Sequence, residues 1–144
     1  KYYMVLGARS DKDKGLALLY SSGDGLKWKV EGRFFSAKHL GYMWECPDMF
    51  SLGAVEFLCC CPQGVEPRGM EFQNVYQSGY FRIENGSLSP FVEFDRGFDF
   101  YAPQSMVAPD GRRLIVAWAN EWEWMPLFKD WGPTYQEAGA DFLM

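Results

Sequence analysis

The sequence predicts an all-β protein and, within that class, an incomplete β-propeller: about two and a half blades of four-stranded antiparallel sheet. Three observations carry this. Short apolar runs bounded by turn residues recur at regular spacing and number roughly ten. No segment repeats its apolar residues with the period of a helix. Several runs are continuously apolar rather than alternating, which is how strands covered on both faces read. Stacked blades bury both faces of their inner strands, so a propeller fits better than a one-sided sandwich. Closure takes at least about four blades of four strands, more than this chain supplies.

The elements follow in order. Residues 2–8 and 16–21 are apolar runs flanking a charged turn, Ser10-Asp11-Lys12-Asp13-Lys14-Gly15. A second turn, Ser22-Gly23-Asp24-Gly25, leads into a strand over 26–30. After a polar loop through His39 come runs over 42–52 and 54–61, then a Pro- and Gly-rich loop over 62–69. Runs over 75–83 and 88–94 meet at Glu84-Asn85-Gly86-Ser87, whose Asn-Gly is a strong hairpin signal. Runs over 100–107 and 113–118 meet at Ala108-Pro109-Asp110-Gly111, a turn set by Pro and Gly. Residues 120–132 read as a Trp- and Pro-bearing loop.

At 144 residues the chain is long enough for one domain with a real core. Its 48% hydrophobic and 18% aromatic content suits a dense β core or an aromatic-lined sugar cleft. A net charge of -5 argues against nucleic acid or an anionic membrane as partner. No stretch is long and apolar enough to span a bilayer as a helix. The first residues run straight into Tyr2-Tyr3-Met4-Val5-Leu6 and the last are Asp141-Phe142-Leu143-Met144, so both ends cut through strand-like sequence. The chain reads as a piece of a longer protein. Cys59, Cys60 and Cys61 lie in succession on a strand, where side chains alternate faces, so they are poorly placed to bridge one another. With Cys46 they read as reduced thiols that pack as small hydrophobes, and hence as marks of a cytoplasmic protein. One His and no Cys-x-x-Cys spacing argue against a zinc site, and nothing calls for a cofactor.

The segment with the most chemistry is Glu45-Cys46-Pro47-Asp48, preceded by Tyr42-Met43-Trp44 and followed by Met49-Phe50. A carboxyl among apolar neighbours is pushed toward its protonated form, which is what a general acid needs. For a lone Glu, a solvated strand end is the commoner outcome, so the case depends on the company this one keeps.

That company resembles glycoside hydrolase family 32, the β-fructosidases: invertases, sucrose-6-phosphate hydrolases, levanases and inulinases. Glu45-Cys46-Pro47-Asp48 after Met43-Trp44 is similar to the family's acid/base motif. Tyr2-Tyr3-Met4-Val5-Leu6-Gly7-Ala8 resembles the strand after its Arg-Asp-Pro motif. Leu19-Tyr20-Ser21-Ser22 with Asp24 and Trp28 resembles its Tyr-Ser-Ser hairpin. Phe98-Asp99-Phe100-Tyr101-Ala102-Pro103-Gln104, followed by Arg113 and Trp118, resembles its Asp-Phe-Tyr-Ala-Pro-Gln stretch. The four segments occur in the family's order over nearly the whole chain.

The resemblance implies a five-bladed propeller with residues 1–144 forming a central part of one catalytic domain. It implies retaining hydrolysis of a β-fructofuranoside, a small-molecule carbohydrate, with Glu45 as general acid/base. Tyr101 and Trp118 fall at aromatic positions near the sugar pocket. Asp48 holds the strand end by hydrogen bonding, and Cys46 is either a packing residue or a tuning thiol. The Asn-Asp-Pro-Asn-Gly segment that carries the family's nucleophile is missing, as are the Arg-Asp-Pro motif and the C-terminal β-sandwich. Glu137-Ala138-Gly139-Ala140 stands where the family has Gly-Trp-Ala-Gly, and Ala117 replaces the Gly before Trp118. The isolated chain is therefore expected to be inactive and to self-associate through its cut faces and edges. Two other readings of the residues stay open at this point: a non-catalytic carbohydrate-binding β module, and an arabinanase-like furanosidase. Glu121 and Glu123 read as a solvated loop and His39 as surface.

Overall fold

Ten strands and no helix are found in residues 1–97 and 100–119, the residues that the computed structural model of the protein describes. β1 (Tyr2–Arg9), β2 (Gly15–Ser22) and β3 (Trp28–Phe34) form the first sheet, in that order. β4 (Met43–Leu52), β5 (Val55–Gln63), β6 (Gly79–Glu84) and β7 (Ser87–Leu88) form the second, with β8 (Val92–Glu93) also on β6. β9 (Tyr101–Val107) and β10 (Arg113–Trp118) form the third. Every pairing is antiparallel. β4 packs on β1 and β2 on one side and on β9 on the other, so the sheets follow one another as neighbouring blades. This is the all-β, part-propeller architecture that the sequence predicts.

Three local departures have clear causes. The strand expected over 88–94 is split into β7 and β8, which pair with opposite ends of β6. Pro90 has no N–H to give a ladder, and Ser89 bridges the gap: its N–H donates to the Arg82 carbonyl at 2.9 Å, and its hydroxyl accepts from the Arg82 N–H at 2.9 Å. The strand expected over 26–30 starts two residues later and runs on to Phe34. The Asp24 carboxylate takes the N–H groups of Leu26 and Lys27, both at 2.9 Å, and winds them into the turn. The run expected from 75 enters the ladder only at Gly79. Residues 98 and 99 of the Phe-Asp-Phe-Tyr motif lie outside the described residues, as do the loop over 120–132 with Glu121 and Glu123, and the segment over 137–140.

Trp44 is the centre of the core. It is fully buried with Ala17, Leu40, Leu58, Cys60 and Phe81. Its indole N–H donates to the Leu40 carbonyl at 2.8 Å, so the one polar atom of a large buried ring is satisfied. Its ring lies 5.0 Å from Phe81, which meets Phe91 at 5.1 Å, with Phe72 6.3 Å beyond. Two glycines of the first sheet let this residue in. A Cβ on Gly7 would stand 1.8 Å from the Trp44 carbonyl oxygen, and one on Gly15 would stand 2.2 Å from its indole. The first sheet therefore seats β4 by backbone contact, which fixes the strand that bears Glu45.

Because the obstacle at Gly7 is backbone rather than a movable side chain, Gly7→Ala in the whole protein should cost about 1–3 kcal/mol of stability. Urea unfolding reads this directly, and a midpoint equal to that of the parent would contradict the close approach.

Candidate active site

The Glu45 segment is a β-bulge. Glu45 lies opposite Cys61 and Asp48 opposite Cys59, so Cys46 and Pro47 together face the single residue Cys60. Cys46 has φ of 45°. The third sheet repeats the device: Tyr101 lies opposite Trp118 and Gln104 opposite Val116, leaving Ala102 and Pro103 against Ala117. Ala102 has φ of 51°. In both places a Pro that cannot donate to the ladder disfavours right-handed helical backbone in the residue before it. It favours extended backbone there, yet the preceding residue is left-handed in both bulges, and the strand bends and re-aims its side chains. Such backbone costs about 1–2 kcal/mol per residue, so something must hold each bulge.

The two bulges hold each other. The Tyr101 hydroxyl donates to the Glu45 carboxylate at 2.5 Å. The Gln104 amide donates to the Cys46 carbonyl at 3.1 Å, and the Ser105 N–H donates to the Asp48 carboxylate at 2.8 Å. Each bond contributes about 0.5–1.5 kcal/mol, and more where a carboxylate accepts. Behind Asp48, Arg113 donates to the Ser105 hydroxyl at 2.8 Å while its guanidinium lies 4.4 Å over the Phe50 ring. Asp48 thus ties β4 to β9.

Tyr101 is buried, with 4% of its surface exposed. Burial pushes its hydroxyl well above the usual phenol range, and the hydrogen bond to Glu45 pushes the same way. It stays neutral and hence a donor. Gln63 pulls the hydroxyl the other way, and the Tyr76 ring lies 5.5 Å from that of Tyr101. Glu45 itself is half-buried. What the site supplies is a carboxyl accessible on one side and fixed on the other by a donor that does not titrate. That arrangement suits proton transfer to and from a bound molecule.

The structure brings Glu45, Cys46, Asp48 and Tyr101 together. Trp118 shares their neighbourhood as the register partner of Tyr101. Trp44 works on the core side instead, as the alternation of a strand requires of the residue before Glu45. The carboxyl's partner is a phenol hydroxyl rather than the apolar neighbours the sequence suggested. Gln63 carries no signal of its own in the sequence. It becomes visible only through the register that sets it opposite Met43, two residues before Glu45. Gln104 and Ser105 follow Tyr101 directly but have no recognisable role until the two sheets meet. Among the described residues, no three His, Cys, Asp or Glu side chains converge as metal ligands.

The four cysteines are free and unlike one another. Cys46 is half-buried, whereas Cys59, Cys60 and Cys61 are buried. A hydrogen bond from Cys61 holds the Cys46 thiol below its usual range, against its own burial and the charge of Glu45. The same bond, together with burial, pushes Cys61 up. Burial, with the charge of Asp48 adding to it, pushes Cys59 up to about 12, and burial pushes Cys60 up as well. Cys61 also lies 3.5 Å from the Ser78 hydroxyl, which donates to the Phe100 carbonyl at 2.6 Å.

Comparison with known proteins gives one consistent result. Residues 1–134 match the model of the glycosyl hydrolases family 32 N-terminal domain. The sucrose-6-phosphate hydrolase of Bacillus subtilis (strain 168) is 43% identical over 131 residues, which are 81% of this chain and 27% of that protein. The raffinose invertase of Escherichia coli is 43% identical over 152 residues, covering 99% of this chain and 30% of that protein. Among solved structures, a Bombyx mori GH32 β-fructofuranosidase in complex with sucrose superposes with a TM-score of 0.72 at 39% identity, over 84% of this chain and 27% of that one. The sucrose-6-phosphate hydrolase of Lactobacillus gasseri superposes with a TM-score of 0.73 at 30% identity, over the same shares. The chain thus spans less than a third of the length of these relatives.

Exposure and acidity together single out one thiol. Iodoacetamide at mildly alkaline pH should alkylate Cys46 in the native whole protein and leave Cys59, Cys60 and Cys61 untouched until denaturant is added. Peptide mass mapping checks this. Equal labelling of all four in the native state would contradict the buried ladder.

Proposed function

The chain belongs to glycosyl hydrolases family 32, and from that premise we propose that the protein carrying it hydrolyses β-fructofuranosides with retention at the anomeric carbon. Sucrose and its 6-phosphate are the proposed substrates. The names of the relatives support this class, and so does the sucrose bound to the Bombyx mori enzyme. The observation that carries the reading is the 2.5 Å hydrogen bond from Tyr101 to Glu45 at the paired bulges.

In this reading Glu45 protonates the glycosidic oxygen as the bond to the fructosyl carbon breaks. A second carboxylate, supplied from outside this chain, attacks that carbon from the opposite side. In retaining enzymes the two carboxyl groups stand about 5–5.5 Å apart. Glu45, now ionised, takes a proton from the water that releases fructose and returns to its starting state. Tyr101 keeps the carboxyl from swinging between the two steps, and Trp118 offers an aromatic face to the sugar. Without the second carboxylate the isolated chain does not turn over. The four free thiols support a cytoplasmic location.

Glu45→Gln in the whole protein keeps the shape and an acceptor for Tyr101 but removes the titrating proton. Turnover of sucrose should fall by about 10²–10⁴-fold with the unfolding midpoint unchanged. Activity within a few-fold of the parent would overturn the assignment.

A further inference from the structure

We propose that Ser78 is a positioning residue for the reaction: its buried hydroxyl fixes the entry of β9, and through it the bond from Tyr101 to Glu45. The need for such a residue comes from where Tyr101 stands. It is the first residue of β9, and its register partner Trp118 is the last of β10. The bulge at Ala102 and Pro103 follows directly, so the regular ladder resumes only at Gln104. Bulged residues drop out of the pairing, and a strand end cut off from its ladder in this way is weakly held. The backbone just before Tyr101 has to be fixed from outside the third sheet.

Ser78 does this from the second sheet. It is 4% exposed and directly precedes β6. Its hydroxyl donates to the Phe100 carbonyl at 2.6 Å, one residue before Tyr101. Its own carbonyl accepts the Phe94 N–H at 3.0 Å, and the Phe94 ring lies 5.8 Å from the Phe100 ring. Side chain, backbone and rings close a small circuit at the entry to β9. The backbone beside Ser78 has little room to drift. Gly79 pairs with Cys60, and a Cβ on it would stand 2.2 Å from the Val92 carbonyl oxygen. The Cys61 sulfur lies 3.5 Å from the Ser78 hydroxyl, and Cys61 itself faces Glu45 across the ladder. Ser78 is therefore held by the strand that pairs with the acid, and it holds the strand that carries the acid's partner. Removing its hydroxyl takes a buried donor from the Phe100 carbonyl and frees Tyr101 to leave its 2.5 Å contact with Glu45. The cost falls on proton transfer by Glu45, so this role rests on the function proposed above.

The test compares two substrates of the whole protein. The sugar leaving sucrose needs the proton of Glu45, whereas the nitrophenolate leaving a nitrophenyl β-fructofuranoside does not. The readout is kcat/KM, which measures how well the transition state is held relative to free enzyme and substrate. In Ser78→Ala, which removes one oxygen, kcat/KM for sucrose should fall about three- to tenfold while that for the nitrophenyl fructoside holds. Both substrates meet the same folded fraction, so a loss of stability alone leaves the ratio of the two values unchanged. Tyr101→Phe should lower that ratio further, and the double variant should lower it no more than Tyr101→Phe does. Ser78→Thr keeps the hydroxyl and should keep the ratio of the parent. An unchanged ratio in Ser78→Ala, an equal fall in Ser78→Thr, or additive losses in the double variant would each overturn the positioning role. Failure of the unsubstituted protein to cleave either fructoside would overturn the proposed function, and this role with it.

Discussion

The site depends on one constraint: two strands from adjacent blades each carry a bulge that contains a proline, and each bulge is held by the other. Neither is favourable alone. Cys46 and Ala102 adopt left-handed backbone that a residue with a side chain avoids, and Pro47 and Pro103 donate nothing to their ladders. The three bonds between the strands end on Glu45, Cys46 and Asp48, which lie in the first bulge and on either side of it. Bending the strand points Glu45 out of the regular pleat, and the clasp fixes where it points.

A clasp of that kind positions a carboxyl only if the strand beneath it does not move. Trp44 supplies the anchor one residue away, with its ring in the core and its carbonyl against Gly7. The alternation of the strand thus assigns neighbouring residues opposite tasks, Trp44 to the core and Glu45 to the site. Asp48 completes the arrangement from the other end of the bulge. Its carboxylate meets a backbone N–H of β9, while Arg113 from β10 braces the Ser105 side chain. Three sheets therefore converge on four consecutive residues.

Much of this was legible in the sequence. The apolar runs and the Asn-Gly and Pro-Asp-Gly turns located most strands, and Glu45-Cys46-Pro47-Asp48 and Tyr101 stood out as chemistry-bearing. The boundaries that moved did so where a side chain competes for the backbone: Asp24 drew Leu26 and Lys27 into a turn, and Ser89 with Pro90 divided the outer strand. The site was less legible wherever it depends on pairing between strands. The repeat of a residue-Pro step in Cys46-Pro47 and Ala102-Pro103 is visible in the sequence, but its meaning appears only when register shows both as two-against-one bulges. Gln63, Ser78 and Cys61 are unremarkable in sequence and gain roles through the strands they face. Cys61 is the sharpest case. As one of three successive cysteines it reads as core filling, yet the register sets it opposite Glu45.

The central claim is that Glu45 supplies and recovers a proton in a double-displacement reaction. Replacement by Ala leaves the glycosyl–enzyme ester without a base to activate water, whereas an anion such as azide needs no base. The decisive measurement is turnover of a β-fructoside with a readily departing leaving group by Glu45→Ala whole protein, with and without azide. The account predicts that azide accelerates the reaction and that the product is fructosyl azide of retained β configuration. Azide without effect on rate, or a product of inverted configuration, would contradict it.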